Sequence, residues 1–317
     1  MKLRRLLRAL PLAIVLPALT VGCGDDSSST PAGGTTASGP KVVASTTWTG
    51  AYAKLAGATD ITVIAPTSIL HPPDYDPKPS DLLAAADADI VVFAEFESFA
   101  PRLTEAAGGD VTTFPLTLEN TVASIESEVM RLAAELGTEA VARTNLDTFL
   151  AAAKELGADA ATHVGEAAPV IVSQVFMSYW ADWAGLTSAG TFGPQPMSAG
   201  DLADLTALSP TLIVDNYHVP GGQAFEAEGT PRIELINYPG DDLDLLAVFQ
   251  HNHDLFVKAL DGEIEANTDI TVPEGGGHGH GETTHGETAT TVGGHGHGEA
   301  ETTVAAHGHG ETATTGG

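Results

Sequence analysis

A single cysteine, Cys23, in 317 residues excludes an intramolecular disulfide as a source of stability. Basic residues are scarce, 13 Lys and Arg against 42 Asp and Glu, and the resulting net charge of −29 repels nucleic acid and attracts cations. Nucleic acid is therefore excluded as a partner. There is no His-Glu-x-x-His, no Gly-x-Ser-x-Gly and no pair of strand-end histidines that would leave an open zinc position, so a metal-dependent hydrolase ranks behind a binding protein. The first apolar run, Leu10 to Val21, is too short to span a bilayer. What the chain does have is 43% hydrophobic residues, enough for real cores, and a length that suits about two domains.

The amino terminus, MKLRRLLRALPLAIVLPALTVGC, has a basic start, the short apolar run and a Gly-Cys end, as a signal peptide does. It resembles a bacterial lipoprotein signal, which implies that residues 1–22 are removed and Cys23 becomes the lipidated first residue, with Thr20 in place of the usual Leu or Val. An ordinary signal peptide cleaved nearby is the alternative. Loss of Lys2, Arg4, Arg5 and Arg8 takes the net charge from −29 to −33. Residues 23–40, almost without large apolar side chains, read as a flexible tether.

From Lys41 onward, strand-like and helix-like stretches alternate. Strands are expected at 41–46, 61–65, 89–93 and 111–114, and helices near 48–56, from Ser80 and over 97–107, with Ser80 capping the second and Asp81 facing its positive end. Val122, Ile125, Val129, Leu132 and Leu136 recur at helical spacing up to a terminating Gly137. A longer helix runs from about Thr138 to His163, with Gly157 as its weak point at about 1 kcal/mol relative to Ala. Strands at 169–173, 186–192, 211–215 and 232–236 alternate with helical stretches 176–184, 199–208 and 222–228 before a last helix, 242–260. The pattern predicts an α/β protein of two lobes, 41–137 and 166–262, each with a mainly parallel four-stranded sheet flanked by helices, joined by one long helix within 138–165, with a ligand cleft where strand ends face each other.

One stretch organises the rest. IAPTSILHPPDYDPKPSDLLAAADADIVVFAEFESF sets His71 on a loop leaving the carboxyl end of a strand, and Pro72, Pro73, Pro77 and Pro79 stiffen that loop. Tyr75, Asp76, Pro77, Pro79, Ser80, Asp81, Ala88, Asp89, Glu97 and Phe99 carry a resemblance to the solute-binding lipoproteins of zinc and manganese ABC importers. In that family a metal-binding histidine precedes an aromatic-acid-Pro-x-Pro-Ser-Asp run; here Pro73 occupies its place and His71 lies two residues earlier. The resemblance covers roughly Lys41 to Leu260 and implies the joining helix, little lobe motion, and a cleft that holds a metal ion.

The resemblance continues in PVIVSQVFMSYWADWAGL, where Gln174 stands at a family histidine, offering a carbonyl oxygen that suits zinc less well than imidazole does. Asp215 or Asn216 takes the place of a strand-end carboxylate, His218 adds an imidazole nearby, and Asn237 replaces a family aspartate. The family's Asp-Pro-His ahead of the long helix is absent. The expected metal donors are thus His71, Glu97, Gln174, Asp215 and His218; His251 and His253, two apart on the last helix, read as surface histidines.

After Ala266 the chain lacks apolar residues for a core and carries seven of its twelve histidines, His278, His280, His285, His295, His297, His307 and His309, in an imperfect HGHGET repeat. Imidazoles on glycine-rich chain suit Zn, Ni, Co or Cu better than Ca or Mg, and such a tail (263–317) is expected to be disordered and to buffer metal. The function implied is a monomeric, lipid-anchored solute-binding protein at the outer face of the cytoplasmic membrane. It captures a divalent transition metal, zinc first and Mn, Ni, Co or Cu as alternatives, for an ABC permease and its ATPase. An extracellular metal buffer or chaperone that relies on the tail is the competing function. Either would lose affinity as pH falls through the ordinary histidine pKa of about 6.5.

Overall fold

The computed structural model describes residues 39–226 and 228–264; the expected signal peptide, Cys23, most of the expected tether and the seven tail histidines lie outside the described residues. The first lobe comprises β1 (Lys41–Ala44), α1 (Thr47–Leu55), β2 (Asp60–Val63), α2 (Pro79–Ala86), β3 (Ile90–Ala94), α3 (Ala100–Ala107) and β4 (Thr112–Leu116). Two helices follow, α4 (Val122–Leu136) and α5 (Glu139–Thr162). The second lobe holds β5 (Ile171–Gln174), α6 (Ser178–Trp183), β6 (Ser188–Phe192), α7 (Ala199–Thr206), β7 (Leu212–Asn216), α8 (Gln223–Glu226) and β8 (Arg232–Leu235), and α9 (Leu245–Leu260) is the last element among the described residues.

Each lobe has one four-stranded sheet, ordered β2-β1-β3-β4 in the first and β6-β5-β7-β8 in the second, and every pairing is parallel. Helices on both faces explain why β3, β5 and β7 begin as apolar runs and are almost wholly buried. The expected two-lobed α/β fold is therefore present. In both sheets the chain order reverses beside the first strand, between β1 and β3 and between β5 and β7, which is where open α/β sheets bind ligands.

Several helix starts differ from the sequence expectation, each for a local reason. Ser80 does not cap α2; Pro79 is its first residue, Lys78 precedes it, and the Asp81 carboxylate accepts the Lys78 N–H at 2.7 Å. Helix α3 begins at Ala100 and not at Glu97, because the Glu97 side chain folds back on the Ala94 N–H. Asp244 caps α9, which starts at Leu245.

The 24 residues of α5 make a rod of ~36 Å. Its first half belongs to the first lobe, where Thr138 Oγ1 donates to Ala56 O and Asn145 Nδ2 to Leu55 O. From its middle onward it packs on the other: Phe149 meets Phe249 edge to face, and Trp183 Nε1 donates to Ala153 O. One buried core runs unbroken from Val42, Trp48 and Tyr52 through Leu146, Phe149 and Ala153 to Trp180, Leu235 and Phe249. At the rim, Lys54 Nζ donates to Asp242 O and Thr67 Oγ1 to the Asp241 carboxylate, tying lobe to lobe.

Gly157 corrects the expectation of a weak point. A Cβ there would lie 2.8 Å from the Trp183 carbonyl oxygen and 2.9 Å from its indole nitrogen, so the missing side chain is what lets α6 close on α5. Gly157→Ala, which would stabilise a free helix, is expected to destabilise this protein by about 1–3 kcal/mol, as overpacking does. A drop in the urea midpoint checks this; an unchanged midpoint would show that the contact opens without cost.

Candidate functional site

His218 is at the end of the β7 turn, 5% exposed, and reaches across to the other lobe. Its Nδ1 lies 2.9 Å from Leu70 O. A carbonyl oxygen only accepts, so Nδ1 carries the proton and Nε2 keeps its lone pair. That Nε2 is buried and has no hydrogen-bond partner among the described residues. Burial, with a smaller push from His71, lowers the His218 pKa to about 4, so the ring stays neutral at any ordinary pH. Tyr238 and Tyr217 flank it edge to face at 4.7 and 5.2 Å.

His71 follows Leu70 directly, so the bond that seats His218 also brings it beside the His71 loop. His71 Nδ1 sits 2.8 Å from the Asp74 carboxylate, so Nε2 is not engaged by that contact, and the side chain is 39% exposed. Ser98 fixes the loop from below, donating both its N–H and its hydroxyl to Pro73 O. Both imidazoles are thus held through Nδ1 by an oxygen acceptor, an arrangement that orients ligating histidines. Beside His218 a void of about 10 Å³ lies between the lobes, bounded by Thr47, Thr67 and Pro72 of one and His218, Tyr238 and Pro239 of the other. It has room for one water-sized body.

The other three expected donors, Glu97, Asp215 and Gln174, are engaged in hydrogen bonds within the protein. Glu97 is 1% exposed; its carboxylate accepts from Ala94 N–H and Thr46 Oγ1 and so clips the end of β3 to the end of β1. Burial raises its pKa to about 7 against the pull of hydrogen bonds from Ser45, Ala94 and Thr46. Asp215 is fully buried and accepts the backbone N–H groups of Asn216, Gly221 and Gly222 and a contact from Arg232 Nη1, which locks the β7 turn. Gln174 spends its carbonyl oxygen on the Phe176 N–H at 2.6 Å. Among the described residues no group of three or more His, Cys, Asp or Glu side chains is arranged to hold a metal ion.

Asn237, at the family aspartate position, is likewise structural. Its side-chain oxygen accepts from Tyr179 Oη and Trp180 Nε1, while its backbone carbonyl accepts from Asn120 Nδ2, which in turn receives Trp48 Nε1 through its own oxygen. This buried network crosses from lobe to lobe. A residue pattern could suggest Asn237, but the part played by Asn120 and by the Leu70 carbonyl has no sequence signal. His251 and His253 depart from the surface reading: His251 Nε2 is buried with no partner among the described residues, and His253 is clamped between Asp254 and Asp159 with a side chain 14% exposed.

No protein-family model and no curated protein matches the sequence. Solved structures do. The solute-binding protein FpvC of Pseudomonas aeruginosa in complex with Mn2+ superposes with a TM-score of 0.56 at 16% identity, covering 71% of this chain and 99% of that one. The laminin-binding protein Lbp of Streptococcus pyogenes gives 0.54 at 20% identity, over 70% and 99%. The laminin-binding protein Lmb of Streptococcus agalactiae, described as having adhesin and metal-transporting activity, gives 0.54 at 19% identity, over 70% and 100%. This chain shares their fold.

Proposed function

We propose that this chain is a solute-binding protein that captures one divalent transition metal ion, zinc first, between its lobes and presents it to an ABC permease driven by its ATPase. The observation that carries the reading is His218, a neutral imidazole seated through Nδ1 on the facing lobe with an unpartnered Nε2 beside an ion-sized void. Desolvating a nitrogen lone pair without a partner is unfavourable unless something takes it. A cation does so, and imidazole selects zinc, nickel, cobalt or copper over calcium and magnesium. His71 is the second donor in this reading, and the threonine hydroxyls at the void, Thr47 and Thr67, complete the shell. The fold shared with FpvC and Lmb supports binding over catalysis. Lipidation at Cys23 would hold the protein at the outer face of the membrane, and the histidine-rich tail would gather ions near it.

Metal analysis after dialysis of a chain running from Gly39 to Ile264 tests this: about one zinc per chain should remain. Retention only by the full-length chain would favour the metal-buffer alternative. A second expectation follows from α5 and the shared core. Scattering profiles of that shorter chain with and without zinc should nearly superimpose, and a large compaction on adding zinc would count against a stiff joint between the lobes.

A further inference from the structure

The second lobe carries a cavity of about 330 Å³ that has no lining residue in common with the void between the lobes. It opens where β5, β6 and β7 end, with Gln174 and Gly193 on one side, Pro196 and Met197 on the loop beyond β6, and Val219 on the loop beyond β7. The volume is far larger than an ion requires and falls in the range of small-molecule pockets, ~300–1,000 Å³. None of its lining residues carries a charge. The backbone N–H groups of Gly221 and Gly222 point at Asp215 and not into the cavity, so they offer no cradle for an anion.

Gln174 gives the cavity its chemistry. It is 1% exposed, and because its Oε1 accepts the Phe176 N–H, turning the amide over would set one donor against another. The amide nitrogen is therefore fixed, and it has no hydrogen-bond partner among the described residues. It faces Gly193: a Cβ at that position would come within 3.4 Å of Nε2, and Gly193 has φ +75, which favours glycine. A buried donor left this way calls for an acceptor.

We propose that this cavity binds a small uncharged organic molecule, with a carbonyl oxygen of the ligand accepting from Gln174 Nε2 and its apolar body lying against Pro196, Met197 and Val219. A charged ligand would lose its hydration against an uncharged wall without compensation. The binding is separate from metal capture and needs no zinc.

The test uses full-length protein and N-acetylprolinamide as an uncharged, carbonyl-bearing probe, with acetate and protonated prolinamide as charged controls, followed by amide chemical shifts. Saturable shifts are expected at Gly193, Met197 and Gly221, with neither control producing them. Gln174→Glu keeps an oxygen for the Phe176 N–H but removes the donor, and should weaken the probe by at least about ten-fold. Met197→Glu, on the loop beyond β6 and away from the sheet, should weaken it as well by placing a charge in the wall, and covers the case in which the Gln174 variant does not fold. Failure of the unaltered protein to bind the probe, equal binding by either folded variant, or equal binding of a charged control would overturn the proposal.

Discussion

Replacing His218 with Ala is expected to weaken zinc binding at the folded lobes by at least about 100-fold, since outer-shell partners of a metal alone are worth about 10–100-fold and His218 supplies a donor atom itself. At fixed zinc the loss appears as thermal stabilisation forgone, about 2.7 kcal/mol for two decades of affinity, because only an ion bound to the folded state raises the melting temperature. The pH dependence separates His218 from an ordinary imidazole. Burial keeps its pKa down to about 4, so protons do not compete for Nε2 until well below the usual histidine range. In a His71→Ala background the remaining zinc-induced shift should therefore stay level from pH 7 down to about pH 5. A zinc-induced shift that survives His218→Ala, or one that disappears with a midpoint near the ordinary histidine value, would sink the assignment. The sequence alone suggests a uniform loss of affinity through the histidine pKa; with the buried ring, the loss expected at the cleft moves to lower pH.

The second large effect concerns stability without metal. Folded Glu97 keeps its proton up to a pKa of about 7, whereas in the unfolded chain it releases it near 4.5. Between those values the folded state binds more protons, so its stability falls as pH rises. The contribution is fully present below 4.5 and is lost through about 7, amounting to about 3 kcal/mol, of order 1.36 kcal/mol per pKa unit. Glu97→Gln retains an oxygen for the Ala94 N–H and has nothing to ionise. The difference in unfolding free energy between parent and variant, measured in urea from pH 4.5 to pH 8, should shift by about that amount. A difference that stays constant across this range would show that the buried carboxylate is already charged at low pH.

Local patterns carried most of the fold. Apolar runs such as Ile90–Ala94 and Leu212–Val214 announce buried parallel strands, and the stripe through Leu146, Phe149 and Ala153 announces α5. His71 and His218 stand out in the sequence because an imidazole just beyond a strand end is conspicuous where residues 41–262 carry only five histidines. Asp215 stands out as a strand-end carboxylate, but its partners, the backbone of Gly221 and Gly222 and an arginine 17 residues on, leave no mark in the pattern. Gly157 misled in the opposite direction, since its value depends on Trp183, which only packing brings near. The seat of His218 joins residues 148 positions apart through a main-chain carbonyl, and no side-chain pattern encodes such a bond.

The unbroken core that threads α5 has a consequence for cooperativity. Lobes with separate interiors can melt one after the other, but here Tyr52, Phe149 and Trp180 belong to one packed interior, so opening either sheet strips cover from the other. Calorimetry should record a single transition whose van't Hoff and calorimetric enthalpies agree. Amides on β1 and β7, one from each half, should exchange with solvent at the same limiting free energy. Either half expressed alone would expose part of that interior to water and would remain unfolded, which sets this molecule apart from two-lobed proteins whose halves are autonomous domains.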